Sequence, residues 1–191
     1  DRLPYMSEYY KEGSDSDLRF QDNLNRAVVL ISKKVVKNSS IFVMGNGGSC
    51  AISCHFVTDL NFVRSSQRQI ISVKSLCSNI SLITAISNDI GFQHIFSFQL
   101  SRLATKSDLV VLISSSGNSE NIINAYKYCN ENEITVILMV GFDGGQAINL
   151  VKEGDIVLHV ESEIGQYGPV EDAHQSICHE ISSLVKQKLN L

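Results

Sequence analysis

A chain of 191 residues with 43% hydrophobic and 19% charged residues has the make-up of one globular domain with a full core. A net charge of −4 leaves no broad basic footprint, which sets nucleic acid aside as a partner, and no apolar run approaches the roughly 20 residues that span a bilayer. Five cysteines scattered from Cys50 to Cys178 fit reduced thiols in the cytoplasm better than a disulfide framework, and the start reads as no secretory leader.

Residues 1–17 are polar with scattered tyrosines and no period, an arm ahead of a single domain over 18–191. The apolar spacing of Leu24, Ala27, Val28, Leu30, Ile31 and Val35 predicts a helix from Leu18 to about Val36. A buried strand follows at Ile41–Met44, then the turn Gly45-Asn46-Gly47-Gly48-Ser49 and a helix from about Ser49. A strand is expected over Gln69–Val73, and helices over Asn79–Ile86 and through Phe96 and Leu100 to Leu103. The strand Val110–Ile113 runs into Ser114-Ser115-Ser116-Gly117-Asn118-Ser119 and another helix. Strands at Ile134–Val140 and Asp155–Val160, a link from Gly165 to Pro169, and a last helix over Val170–Leu189 complete the chain. Apolar strands alternating with amphipathic helices imply an α/β fold, a parallel sheet covered on both faces.

The serine-rich turn is the feature around which the rest is arranged. Small hydroxyl residues at a strand end and helix start make an anion cradle, because the first N–H groups of a helix lack intrahelical partners and the helix dipole adds positive potential. Ser114, Ser115, Ser116 and Ser119 can each donate a hydroxyl to a phosphate oxygen. No Gly-Lys-Ser/Thr follows, so the turn is not a Walker loop. The Gly45–Ser49 turn occupies the equivalent place after an earlier strand, where ligands of open parallel sheets bind. Both turns also read simply as tight strand-to-helix connections with capping serines and glycines for steric relief.

Two helices carry acid–base and metal-ligating residues. His55 and Asp59 lie four apart on one helix face, and the last helix holds Glu171, Asp172, His174, His179 and Glu180. Imidazoles and carboxylates suit zinc, or proton transfer near neutral pH; they equally suit a solvated helix face. Glu171 and His179 are eight residues apart, about 12 Å of rise along a straight helix. They reach one ion only if Glu171 curls in from the helix start; otherwise they serve different copies of a site at a subunit interface. Cys50, Cys54 and Cys178 adjoin these histidines without forming a metal-binding knuckle, and His94 and His159 are read as local hydrogen-bonders.

With these residues in place the chain resembles the SIS (sugar isomerase) family, and within it the phosphoheptose isomerases. The carriers are Gly45-Asn46-Gly47-Gly48-Ser49 with His55-Phe56, Asn88-Asp89-Ile90-Gly91-Phe92, Ile113 with the serine loop through Ile122, Gly141-Phe142-Asp143-Gly144-Gly145, and the Glu171, His174, His179 helix. The resemblance implies a three-layer α/β/α fold with a five-stranded, flavodoxin-like parallel sheet, a homotetramer with sites between subunits, and zinc. It implies that Ser114, Ser115, Ser116 and Ser119 hold a sugar phosphate, and that Asn46, Gly47, Gly48, Ser49, Asn88, Asp89 and Glu171 contact substrate. His55, Asp59, Glu171 and His179 match metal ligands, with Asp59 and His179 also as the proton-transfer pair.

The implied reaction is the conversion of sedoheptulose 7-phosphate to its aldose in bacterial heptose synthesis. The chain departs from the family pattern at Asp59, where a glutamate is usual, at Glu171, where a glutamine is usual, at Phe62-Val63-Arg64 in place of Gly-Arg-Tyr, and at Gly168-Pro169. Two other expectations stand beside it: an isomerase of a different sugar phosphate, and a non-catalytic module that binds a sugar phosphate or a protein partner.

Overall fold

A computed structural model describes residues 15–63 and 72–190, with side chains from residue 18 onward. The expected arm falls mostly outside the described residues, as do residues 69–71 of the strand expected at Gln69–Val73. The elements run α1 Asp15–Val36, β1 Ser40–Gly45, α2 Gly47–Asn61, β2 Ser72–Ser75, α3 Ile80–Asp89, α4 Ser97–Leu103, β3 Leu109–Ser114, α5 Glu120–Glu131, β4 Thr135–Phe142, β5 Ile156–Glu161 and α6 Tyr167–Lys188. Short 3₁₀ turns stand at Phe92–His94 and Ala147–Leu150.

The five strands form one all-parallel sheet in the order β2-β1-β3-β4-β5. Every residue of β3 is buried, as a strand covered on both faces requires. Successive side chains point to opposite faces. Ile41, Val43, Val111 and Ile113 therefore pack under α1, α2 and α6, against Ile31, Phe56, Ile177 and Ile181. Phe42, Met44, Val110 and Leu112 face the opposite layer of α3, α4 and α5, meeting Ile86, Leu100, Ile122 and Tyr126. The result is the expected three-layer α/β/α domain.

The winding direction reverses between β1 and β3, and such a switch point opens a crevice at the carboxyl ends of the strands. Gly45 pairs with Ile113 there, so the glycine turn and the serine loop leave the sheet side by side.

Two details differ from the sequence reading. Helix α6 begins at Tyr167, so Gly168 and Pro169 lie inside its first turn rather than in a link. Proline is tolerated there because first-turn N–H groups have no intrahelical acceptor to lose. Asp155, where a strand is expected to start, lies just before β5 and is buried; its carboxylate accepts from Val136 N at 2.9 Å, Tyr126 Oη at 3.0 Å and Lys152 N at 3.2 Å, pinning α5 to the sheet.

Candidate active site

Helix α2 turns Ser49, Ile52, Ser53, Phe56 and Leu60 into the core, which leaves His55 and Asp59 along its flank. Helix α6 buries Val170, Ala173, His174, Ile177, Cys178 and Ile181, which leaves Glu171, Gln175 and His179 on one stripe at four-residue spacing. The two helices lie against each other and run the same way. Near their starts Gly48 meets Glu171, and two to three turns further on His55 and Asp59 meet His179.

At that second meeting point Asp59 stands between two imidazoles. Its Oδ1 lies 3.4 Å from His55 Nε2 and its Oδ2 lies 3.0 Å from His179 Nδ1. The rings meet edge to face with centroids 4.9 Å apart. Asp59 Oδ2 is buried and makes no hydrogen bond, because the His179 nitrogen approaches closely but outside donor geometry. One ligand atom from each residue falls within 4.8 Å of the others, and among the described residues this is the one such group of three or more metal-binding side chains. Two nitrogens and an orphaned carboxylate oxygen, with both rings half exposed, match the three-ligand, open-position pattern of catalytic zinc sites. The donor set fits a divalent ion. Gln175 Nε2 lies 3.0 Å from His179 Nε2 and holds the ring's rotation; its amide can flip to meet either tautomer.

Glu171 does not enter this group. A Cβ on Gly48 would run into its carboxylate, so the side chain lies across the first turn of α2. Negative charge is favoured there, and only a glycine leaves room for it. The eight-residue separation noted in the sequence thus persists in the fold: Glu171 belongs to the loop end and His179 to the lower cluster.

The two loops share the crevice. Asn46 and Ser119 occupy the N-cap positions of α2 and α5, yet neither side chain caps its helix. The amides of Asn46 and Asn121 instead bond each other reciprocally, at 2.8 and 3.0 Å, and join the two loops. Ser114 Oγ accepts from Gly117 N at 3.1 Å and Ser116 Oγ from Asn118 N at 3.2 Å, which shapes the serine turn. Ser115 Oγ is buried without a partner. The glycine loop after β4 braces this turn: Ala147 N donates to Gly117 O at 2.9 Å, and Gln146 N donates to Asn118 Oδ1 at 3.0 Å. Uncapped first-turn N–H groups beside partly exposed hydroxyls are the donors that an anion site would use.

Asn88 and Asp89 are exposed at the far end of α3, about 14 Å of helix rise from its start, with Asn88 Nδ2 donating to Asp89 Oδ1 at 2.7 Å. Gly47 and Ser49 stand in the first turn of α2, exposed and buried respectively. Sequence reasoning passed over Asn121 and Gln175. Gln175 carried a signal, since it lies midway between Glu171 and His179 on the helical period; a buried Asn121 could be recognised only from its partner.

The SIS domain pattern matches residues 8–141, more than half of the chain. The chain belongs to the SIS domain family. Among SIS proteins it is 32% identical to a phosphoheptose isomerase of Neisseria meningitidis over 86% of this chain and 82% of that one. The solved phosphoheptose isomerase GmhA of Neisseria gonorrhoeae superposes with a TM-score of 0.83 at 28% identity, covering 96% of this chain and 95% of that one. A phosphoheptose isomerase from Francisella tularensis gives 0.79 at 26% identity, over 98% and 99% of the two chains. No helix among the described residues is long and apolar enough to cross a membrane.

Proposed function

We propose that this chain is an aldose–ketose isomerase that converts D-sedoheptulose 7-phosphate to D-glycero-D-manno-heptose 7-phosphate. The observation that carries the proposal is the convergence of His55, Asp59 and His179, in a chain that is similar over nearly its full length to phosphoheptose isomerases. A buried carboxylate oxygen without a hydrogen bond, set 3.0 Å from one imidazole and close to a second, is an acid–base arrangement, which favours the enzyme over the regulatory reading.

Isomerisation moves a proton between C1 and C2 through an enediol or enediolate, and needs a base, an acid and stabilisation of the developing oxyanion. Asp59 and His179, 3.0 Å apart, carry the proton transfers. Asp59 has two oxygens, so one can be held while the other exchanges a proton. The open start of α5, with Ser116 and Ser119, binds the phosphate and fixes the sugar's orientation, while Ser114 and Ser115 line the same turn. Gly47, Gly48 and Ser49 with Asn46 form the facing wall, and Glu171 lies over Gly48. His55, Asp59 and His179 would hold a zinc ion, which when bound polarises the C1 and C2 oxygens.

The loop end and the lower cluster lie on one face of a single chain but about 10 Å or more apart along α2. We therefore read each site as completed by a neighbouring protomer, in the homotetramer that the family resemblance implies. Exposed Phe62, Ile80 and Phe92, at 68%, 73% and 55%, support buried subunit contacts, and exposed Asn88 and Asp89 are available to reach a neighbouring site. Five free thiols support a cytoplasmic location. Incubation with sedoheptulose 7-phosphate, with and without a chelator, tests the reading: product formation supports it, and its absence in metal-loaded protein that still binds the sugar phosphate supports the binding module.

A further inference from the structure

The reciprocal amide pair between Asn46 and Asn121 joins the two loops that flank the crevice. Asn121 is 1% exposed in the first turn of α5, at the anion site, whereas Asn46 lies partly exposed at the mouth of α2. Asn46 occupies the position where asparagine normally caps its own helix, and it does not do so. Its side chain is engaged by Asn121, at 2.8 and 3.0 Å. A paired amide uses one N–H and one oxygen lone pair, so Asn46 keeps a second N–H and a second lone pair for a ligand in the crevice. Without Asn121 the Asn46 side chain is free to swing back and cap α2, which withdraws it from the crevice and satisfies the helix.

We propose that Asn121 is a positioning residue, one that aims Asn46 at the sugar and locks the phosphate-holding loop and the sugar-reading loop into one unit. The inference deepens the isomerase reading and rests on it for the identity of the ligand. Because the released Asn46 finds a cap, Asn121 acts on binding geometry far more than on folding.

The test combines turnover with a binding measurement that needs no reaction. In turnover of sedoheptulose 7-phosphate, Asn121→Ala lowers kcat by about 10- to 100-fold, the scale of a misplaced contact, and raises KM in step with the lost affinity for the heptitol 7-phosphate. Asn46→Ala loses as much, and the double variant is no worse than Asn46→Ala alone. In calorimetry, wild-type protein binds the reduced, non-isomerisable heptitol 7-phosphate more tightly than inorganic phosphate. Asn121→Ala removes that preference and leaves inorganic phosphate binding unchanged. Asn121→Ser, smaller but polar, repeats the measurements should the alanine variant not fold, and Asn46→Ala probes the pair from its exposed side. Losses that multiply in the double variant, unchanged kcat and preference in Asn121→Ala, or a parallel loss of inorganic phosphate binding each overturn the proposal. Equal wild-type affinity for the two ligands overturns it as well. Wild-type protein that fails to isomerise refutes the isomerase reading alone, since the binding arm still decides the role of Asn121.

Discussion

His179 Nδ1 stands 3.0 Å from Asp59 Oδ2 across two helices that enter the domain more than a hundred residues apart in the chain. Neither residue has a stronger polar partner on its own helix than the other supplies, apart from Gln175 at the far nitrogen of the ring. If the pair performs the proton transfers, Asp59→Asn and His179→Ala each lower kcat by about 10²- to 10⁴-fold, the usual worth of a positioned acid or base. Binding of inorganic phosphate, measured by calorimetry, stays at the wild-type level because the serine loop is untouched. Undiminished turnover in either variant rules the pair out.

The same three side chains predict metal-dependent stability. A ligand at 100 times its dissociation constant stabilises the folded state by about 2.7 kcal/mol. For a domain of this size that raises Tm by roughly 2–4 °C per kcal/mol. Zinc added to chelator-treated protein is expected to raise Tm on this scale, and His55→Ala to abolish most of the rise. A rise of equal size in His55→Ala would place the ion elsewhere.

Gly48 offers a separate handle on Glu171. Alanine at this helical position is better than glycine for the backbone by about 1 kcal/mol, and the group it strikes is the far end of a flexible side chain. Gly48→Ala therefore folds with an unchanged or slightly higher Tm while displacing the Glu171 carboxylate. Its effect on kcat/KM should match that of Glu171→Ala, and the two should not add. Additive losses would show that Gly48 and Glu171 act independently.

His174 sets part of the acid response. It is fully buried, neither ring nitrogen has a well-aligned hydrogen bond, and burial holds its pKa down at about 4, with a weak contact to the Val140 backbone opposing and His159 reinforcing that shift. Unfolded, it titrates near 6.5. Below that value the unfolded chain binds a proton the folded chain refuses, so stability from this group is present above pH 6.5 and is lost as pH falls toward 4. Replacing His174 with Leu is expected to flatten the fall of Tm between those limits. An unchanged slope would assign the acid response to other groups.

Much of the fold was legible because its elements are long and its periods unambiguous. The all-buried run of β3 and the amphipathic spacing of α1 and α6 announce a covered parallel sheet. The start of α6 was misplaced because proline and glycine signal a break, although the first helical turn tolerates both. His55 and Asp59 could be placed on one helix face from their spacing, and the serine loop could be recognised from its chemistry.

By itself the sequence determined which residues share a face and which turns end strands, since both follow from the local geometry of helix and strand. Tertiary structure decided which faces meet. It put His179 beside Asp59, sent Glu171 instead to Gly48, and gave Asn46 a partner 75 residues away. Periodicity fixes the direction of a side chain about its own axis, but the packing of one axis against another depends on the whole core.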